Sequence, residues 1–537
     1  MSEPEALRAL VVSYLDLRWH LDPVDGSAAG RAEHDGRLGS FSRESAAQHV
    51  AALRSLMGAV EELELDTLED EIDRTALLNE IRLAVHRLQR EQPHVRDPGH
   101  WVAHALEGLH QMLLLTDRPA GARARAAVER LRALPAFFEE ARATLAGCPL
   151  VFVETAQHMV QAGAPLVDEL EGAVRGGPEL DVAAACAAAR DGLAAFAAHL
   201  AGPLRAGAPA DGFAIGEDAF NFRLHFQHAV QATATELLRY GSRLVEQVEA
   251  ELTTLADAIT PRAHWLDVLD RLRDDHPTAD GLVAAYADEM QRARSFVEQR
   301  GLVPLPDGPL AVVATPGYLR PVIPLAAYLP PGAFSADRTG RFFVTPPAGN
   351  GKGADHGLRD HCTHELPATA LHEGYPGHHL HFLTAHGSPR LTRRLLFTPV
   401  TVEGWALYCE DMMGEEGFYR SAAERLCQRA ALLWRALRIV LDVGIHTGRV
   451  SFADGVRMIE QRLHYSRAHA EAEVRRTCAT PAYQMAYAVG RRELRALRDD
   501  FRRAAGPEYS LRRFHESVLV YGGLPVSLMR WGLGLGG

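Results

Sequence analysis

From the start of the chain to about residue 300, apolar residues return every three or four positions. This periodicity restricts the region to packed helices. The stretch from Ser242 shows it best: Leu244, Val248, Leu252, Leu255 and Ile259 share one helical face, with Glu246, Glu249 and Glu251 between them. Breaks such as Gly207-Ala208-Pro209 read as turns between helices. Between about 301 and 350 the texture changes. Proline and glycine become dense, and Leu310-Ala311-Val312-Val313-Ala314 and Arg341-Phe342-Phe343-Val344-Thr345 are short runs of strand type. Helical patterning then resumes almost to the end. The sequence therefore predicts a mainly α fold with one small β-sheet, divided into an N-terminal helical region over 1–300 and a second region over 301–537. At 537 residues the chain exceeds the usual size of one core, so two or three packed subdomains are expected.

The charge balance excludes some partners. A formal net charge of −12 argues against a nucleic-acid or anionic-membrane partner, either of which needs a clustered basic surface. The six cysteines are far apart in sequence with no C-x-x-C pair, the pattern of free thiols in a reducing compartment. The opening Met1-Ser2-Glu3-Pro4-Glu5 has acids where a signal peptide has bases. The most apolar run, over 181–204, is rich in alanine and broken by Arg190 and Asp191, so it cannot span a bilayer. Together these features predict a soluble cytoplasmic protein. Gly349-Asn350-Gly351-Lys352-Gly353 lacks the spacing of a phosphate-binding loop and is expected to be a flexible connection.

The chemistry is concentrated in His372-Glu373-Gly374-Tyr375-Pro376-Gly377-His378-His379. It opens like the zinc signature H-E-x-x-H, in which two histidines one turn apart bind the metal and the glutamate is general base. Here Pro376 stands where the second histidine belongs. On a regular helix His378 would be turned about 240° from His372, and His379 would share its face about 10 Å further along. Pro376 and Gly377 can break the helix and fold the extra residues out. His378 is then the preferred second ligand, with His379 the alternative. A hydrolytic zinc takes three protein ligands and leaves one position open. Glu403, in an apolar helical stretch where an unpaired carboxylate is costly, is the third candidate. Glu410 or Asp411 could hold a ligating imidazole from behind. The bland alternative is a histidine-rich helix start with no metal.

Other polar groups are less specific. Arg438, Asp442 and His446 step by four, which fits either a cavity wall or a solvated ladder. Arg475 and Arg476 could grip a substrate carboxylate, although a solvated face explains them better. The pairs His225 and His228, and His361 and His364, lack an acid at suitable spacing and read as structural. Cys409 has no triad pattern around it.

The H-E-G-Y-P-G-H-H run followed by E-G-W-A-L-Y at 403–408 resembles the DUF885 family, bacterial proteins regarded as zincin-like and related to gluzincin metallopeptidases. Residues 438–446 are similar to its R-x-x-x-D-x-G-x-H, and residues 481–490 to its P-x-x-Q-x-x-Y-x-x-G. Phe514-His515-Glu516, Val518-Leu519 and Gly523-Leu524-Pro525 resemble its closing segment. The N-terminal half matches only in general character. The resemblance implies a zincin-like helical fold with the sheet beside the active-site helix, zinc on His372, His378 and Glu403, and Glu373 activating water. Tyr483 and Tyr487 are the candidate donors to the tetrahedral oxyanion. In zincins an edge strand lies over the catalytic helix and pairs with extended substrate; residues 341–345 are the candidate here. The expected function is a zinc hydrolase, a peptidase acting on small or modified peptides within a helical cavity. The alternatives are a metal enzyme acting on a non-peptide amide or biosynthetic intermediate, and a silent binding protein on the same scaffold. An intact Glu373 weighs against the last.

Overall fold

In the computed structural model, which describes residues 3–115, 117–174, 180–320, 323, 325–347 and 357–536, helices form most of both halves of the chain and one small sheet lies between them. That is the mainly α fold the periodicity predicts. The segment from Ser242 lies in a helix (Ala234–Ile259), with a shorter helix pattern repeated throughout the first 300 residues. Eight helices build the site and the walls that support it: α1 (Leu68–His86), α2 (Ala234–Ile259), α3 (Leu282–Arg300), α4 (Leu366–Glu373), α5 (His378–His386), α6 (Pro399–Glu415), α7 (Ala422–His446) and α8 (Ala486–Ala505). At the start of α2, Thr233 and Glu236 form a reciprocal capping box that satisfies two free backbone donors. The face carrying Leu237, Leu244, Val248 and Leu252 is buried in one apolar cluster with Leu437 and Leu441 of α7 and Val489 of α8. Gly241 permits this approach, since an added Cβ would lie 2.9 Å from the Ile439 side chain.

The cores do not stop at residue 300. One apolar cluster combines Leu7, Leu53 and Ile72 with Leu371, Met412 and Phe514, and another joins α2 to α7 and α8. A third, around Trp101, Phe138 and Phe196, lies wholly within the N-terminal helices. Buried charge also crosses between the two regions. Asp73 of α1 pairs with Arg390 and Arg393, and all three side chains are nearly inaccessible. Removing one partner of such a set strands the other charge, a loss of about 3–5 kcal/mol.

The sheet consists of β1 (Leu310–Ala314), β2 (Ala326–Leu329) and β3 (Gly340–Val344) in the order β1-β3-β2. β1 runs parallel to β3 with Leu310 opposite Gly340, and β2 runs antiparallel to it with Tyr328 opposite Phe342. The expected strand at 341–345 therefore forms, but in the middle. Both sides of its backbone are already hydrogen-bonded, so it cannot be the edge strand that pairs with substrate. Ala326–Leu329, too short a run to predict as a strand, covers the second side. Phe342 and Val344 pack against Tyr286 and Met290 of α3 and Leu366 and Ala370 of α4, which fixes α4 beneath the sheet. The flexible connection expected over 349–353 lies outside the described residues. The six cysteines are free and buried. No described helix is long and apolar enough to cross a membrane.

Candidate metal centre

α4 ends at Glu373 and α5 begins at His378, so residues 374–377 form a non-helical link with a cis bond between Tyr375 and Pro376. The link folds back on α4: Gly374 N–H donates to Ala370 O at 2.9 Å, and Gly377 N–H to Leu371 O at 3.0 Å. A Cβ at Gly377 would collide with the His372 carbonyl oxygen and lie 2.5 Å from that of Leu371. Any side chain there would have to displace backbone. From α6, the Trp405 indole N–H donates to Pro376 O at 2.8 Å and holds the link in place. The break brings the rings of His372 and His378 to 4.8 Å, nearly perpendicular.

Three donor atoms then converge. His378 Nε2 is 3.4 Å from Glu403 Oε2, and His372 Nε2 is 3.9 Å from the same oxygen. Glu373 shares the cluster, with donor atoms of His372, Glu373 and His378 all within 4.8 Å of one another. His372 donates its Nδ1–H to Glu410 Oε1 at 2.8 Å, which leaves Nε2 facing the cluster. Gln428 donates to the other oxygen of Glu410 at 3.2 Å. Of the two acids that could stand behind an imidazole, Glu410 does so, whereas Asp411 pairs with Arg429, Arg491 and Arg495. His379 points elsewhere. Its Nδ1 accepts from Tyr328 at 3.0 Å and its Nε2–H donates to Gly308 O at 3.3 Å, tying α5 to β2. Burial opposes charge on Glu403, but His378 outweighs it and holds the carboxyl at about 2; the His378 imidazole rises correspondingly, against its own burial.

Glu403 is further held from the segment that leads into α8. Gly404 and Gly490 touch backbone to backbone, where a Cβ on Gly404 would lie 2.5 Å from Gly490 Cα. This close crossing lets the Tyr483 hydroxyl donate to Glu403 Oε1 at 2.8 Å. Tyr483 is thus engaged by the carboxylate rather than free to face an oxyanion. The Tyr487 hydroxyl has no hydrogen-bond partner among the described residues. Its ring is 6.3 Å from that of Tyr483 and 5.0 Å from the Arg438 guanidinium, and burial pushes its phenol up to about 12.

The Arg438, Asp442 and His446 series is not a solvated ladder. Asp442 and His446 are fully buried. The Asp442 carboxylate accepts Ala482 N–H at 3.0 Å and Met485 N–H at 2.9 Å, shaping the segment that carries Tyr483. His446 donates to Thr477 O at 2.9 Å. Arg475 lies 3.6 Å from Glu471. His228 bridges Thr398 and Ala482 O, and His361 bridges Tyr286 and Thr345 O, so both are structural as their spacing suggests. The Cys409 thiol donates to Pro376 O at 3.8 Å. Gln428 escapes motif reasoning, although its spacing two heptads before Asp442 places both on one face of α7. A cavity of about 340 Å³ opens beside His372 and Glu373, between α4, α7 and the aromatic rings of Trp265, Trp434 and Tyr465.

Comparison with known proteins agrees with this architecture. The profile of a family described as "Bacterial protein of unknown function (DUF885)" matches residues 23–532. No curated protein matches the chain. Two solved structures share the fold across 99% of both chains. One, from Shewanella oneidensis, is a protein of unknown function with a provisional lipoprotein designation, 24% identical with a TM-score of 0.81. The other, from Colwellia psychrerythraea, carries the same provisional designation and is 16% identical with a TM-score of 0.83. With the family profile spanning all but the two ends, the chain belongs to the DUF885 family.

Proposed function

We propose that this protein is a zincin-like, zinc-dependent hydrolase that cleaves an amide bond in small or modified peptides. The observation that carries the reading is the spacing of His372 Nε2, His378 Nε2 and Glu403 Oε2. Two donors bound tetrahedrally to one zinc, each at the usual 2.0–2.2 Å, lie about 3.4 Å apart. The separations of 3.4 and 3.9 Å need only side-chain adjustment to meet that. The three donors are two imidazoles and a carboxylate, all nearly inaccessible to solvent, which is a ligand set that a hydrolytic zinc takes.

Zinc bound there would act as a Lewis acid and draw the pKa of water toward neutrality. Glu373 would take a proton from the attacking water on a carboxylate oxygen and deliver it to the leaving nitrogen; the water oxygen ends in the new carboxyl group. The Tyr487 hydroxyl would donate to the carbonyl oxygen as charge builds on it. Tyr483 and Glu410 are positioning residues that hold Glu403 and His372. The outer edge of β2 takes the substrate-pairing role in place of β3, since Leu325 and Ala326 border the cavity.

The test is metal content of the purified protein beside His378→Ala, Glu403→Ala and His379→Ala. Zinc near one per chain, lost in the first two and kept in the third, supports the ligand set; unchanged zinc in the first two refutes it. A peptide-library digest with Glu373→Gln as control reads the reaction. Zinc without cleavage of any peptide favours a non-peptide amide or biosynthetic intermediate as substrate, or a silent binding protein on the same scaffold. The cytoplasmic location belongs to the same proposal, whereas the designation of the two similar structures points to a membrane-anchored or secreted setting. Fractionation of the native host cell decides between them.

A further inference from the structure

The cavity beside Glu373 has a wall that the hydrolytic groups leave unused. α7 presents Cys427, Ala430, Ala431, Trp434 and Arg435 to it, the spacing of one helix face. The hydrolytic end of that face is marked by Gln428, which holds Glu410. Arg435 lies seven residues further, about 10 Å along the axis. Its guanidinium donates once, to Ala431 O at 3.1 Å, while its Nε is buried without a partner. No carboxylate lies within ion-pair distance of it among the described residues, although Glu365 in the same cavity feels its charge. Arg273, the other arginine of the cavity, lies 3.8 Å from Glu365, so that charge is already answered. The same cavity is lined by Trp265, Trp434, Leu463 and Tyr465, with Glu365 and His469 also on its wall.

We infer that this cavity binds the free C-terminal carboxylate of a short peptide on Arg435, with an apolar or aromatic C-terminal side chain against Trp265, Trp434 and Tyr465. A guanidinium offers two parallel N–H donors to a carboxylate, whereas a C-terminal amide has one acceptor and turns its own N–H groups toward the arginine. An extended residue spans about 3.3–3.6 Å, and the arginine side chain reaches back along the groove. The scissile amide then lies one or two residues from the C-terminus, and the released fragment is an amino acid or a dipeptide. The position of the scissile bond rests on the hydrolase reading; the carboxylate site does not.

The experiment is calorimetry on the full-length Glu373→Gln protein with N-acetyl-alanyl-phenylalanine and its C-terminal amide. The free acid is expected to bind at least about tenfold more tightly than the amide, as a hydrogen-bonded charge pair does. Adding Arg435→Gln should lower affinity for the acid to that of the amide and leave the amide unchanged, while Arg435→Lys keeps part of the preference. Melting temperature and zinc content of each variant report whether the fold survives. Equal binding of acid and amide, a preference that survives Arg435→Gln, or no binding of either at millimolar concentration overturns the proposal. With the wild type, acid-selective binding but no hydrolysis counts against the peptidase reading and leaves the pocket. Hydrolysis that accepts acid and amide equally sinks the pocket and leaves the hydrolase.

Discussion

Replacing Asp442 by alanine removes both acceptors from the backbone that presents Tyr483. The carboxylate is fully buried and takes Ala482 N–H at 3.0 Å and Met485 N–H at 2.9 Å. A buried donor left unpaired costs about 1–3 kcal/mol, so two cost about 2–6 kcal/mol, with the lower figure applying if water enters the space. Ala482 adds to the effect, because its φ of 61° is a left-handed conformation that an alanine keeps only when its surroundings impose it. At about 1.4 kcal/mol per factor of ten, even 2 kcal/mol means roughly thirtyfold faster local opening. Hydrogen–deuterium exchange resolved over 480–487 reads this directly, with the amides of α2 as internal reference. Asp442→Asn keeps one acceptor oxygen and should fall between wild type and alanine. Exchange at Ala482 and Met485 within threefold of wild type in Asp442→Ala would refute the idea that this carboxylate shapes the segment.

Gly377→Ala forces a Cβ into the carbonyl groups of Leu371 and His372. It should separate the two imidazoles and abolish stoichiometric metal binding, as measured by atomic absorption; full retention of metal would show that the link can shift freely. Glu410→Ala frees the His372 ring and should weaken zinc binding about 10- to 100-fold in a chelator competition. Burial would raise the Asp411 carboxyl, but Arg491, Arg429 and Arg495 outweigh it and hold it below the ordinary range. Below about pH 4 the native chain then binds fewer protons than the unfolded one, so this stabilisation is complete above that pH and lost as pH falls further. Asp411→Asn should accordingly be less stable than wild type at pH 7, with a gap in denaturant midpoint that narrows below pH 4.

The helices were legible because their signal is local: α2 declares itself within its own residues. β2 was not. The five residues between Pro324 and Pro330 carry too little pattern, and the strand character of the last four comes from pairing with β3. That one omission also left 341–345 to be read as an edge strand, which its pairing on both sides excludes. It hid why His379 is unavailable, since its Tyr328 partner is on β2. That the helix breaks and carries His378 beside His372 was readable from Pro376 and Gly377, whose chemistry forbids a continuous helix. The type of Tyr483 was readable and its partner was not, because the bond to Glu403 depends on two glycines 86 positions apart in sequence, Gly404 and Gly490, meeting across a helix crossing. Spacing by four could not distinguish a wet face of α7 from a dry one; packing of α2 against it decided that Asp442 and His446 are buried.

The apolar clusters that run across residue 300 make the motif-bearing half a poor candidate for separate production. Expressed alone, 301–537 would bare the faces of α7 and α8 that α2 covers and leave Arg390 and Arg393 without Asp73. Such a fragment should aggregate. Co-produced with 1–300, it should instead be rescued into solution as a noncovalent pair, because each half carries the missing wall of the other. Split-protein complementation across this junction would therefore report folding of the whole molecule, and a soluble, monomeric 301–537 on its own would contradict it.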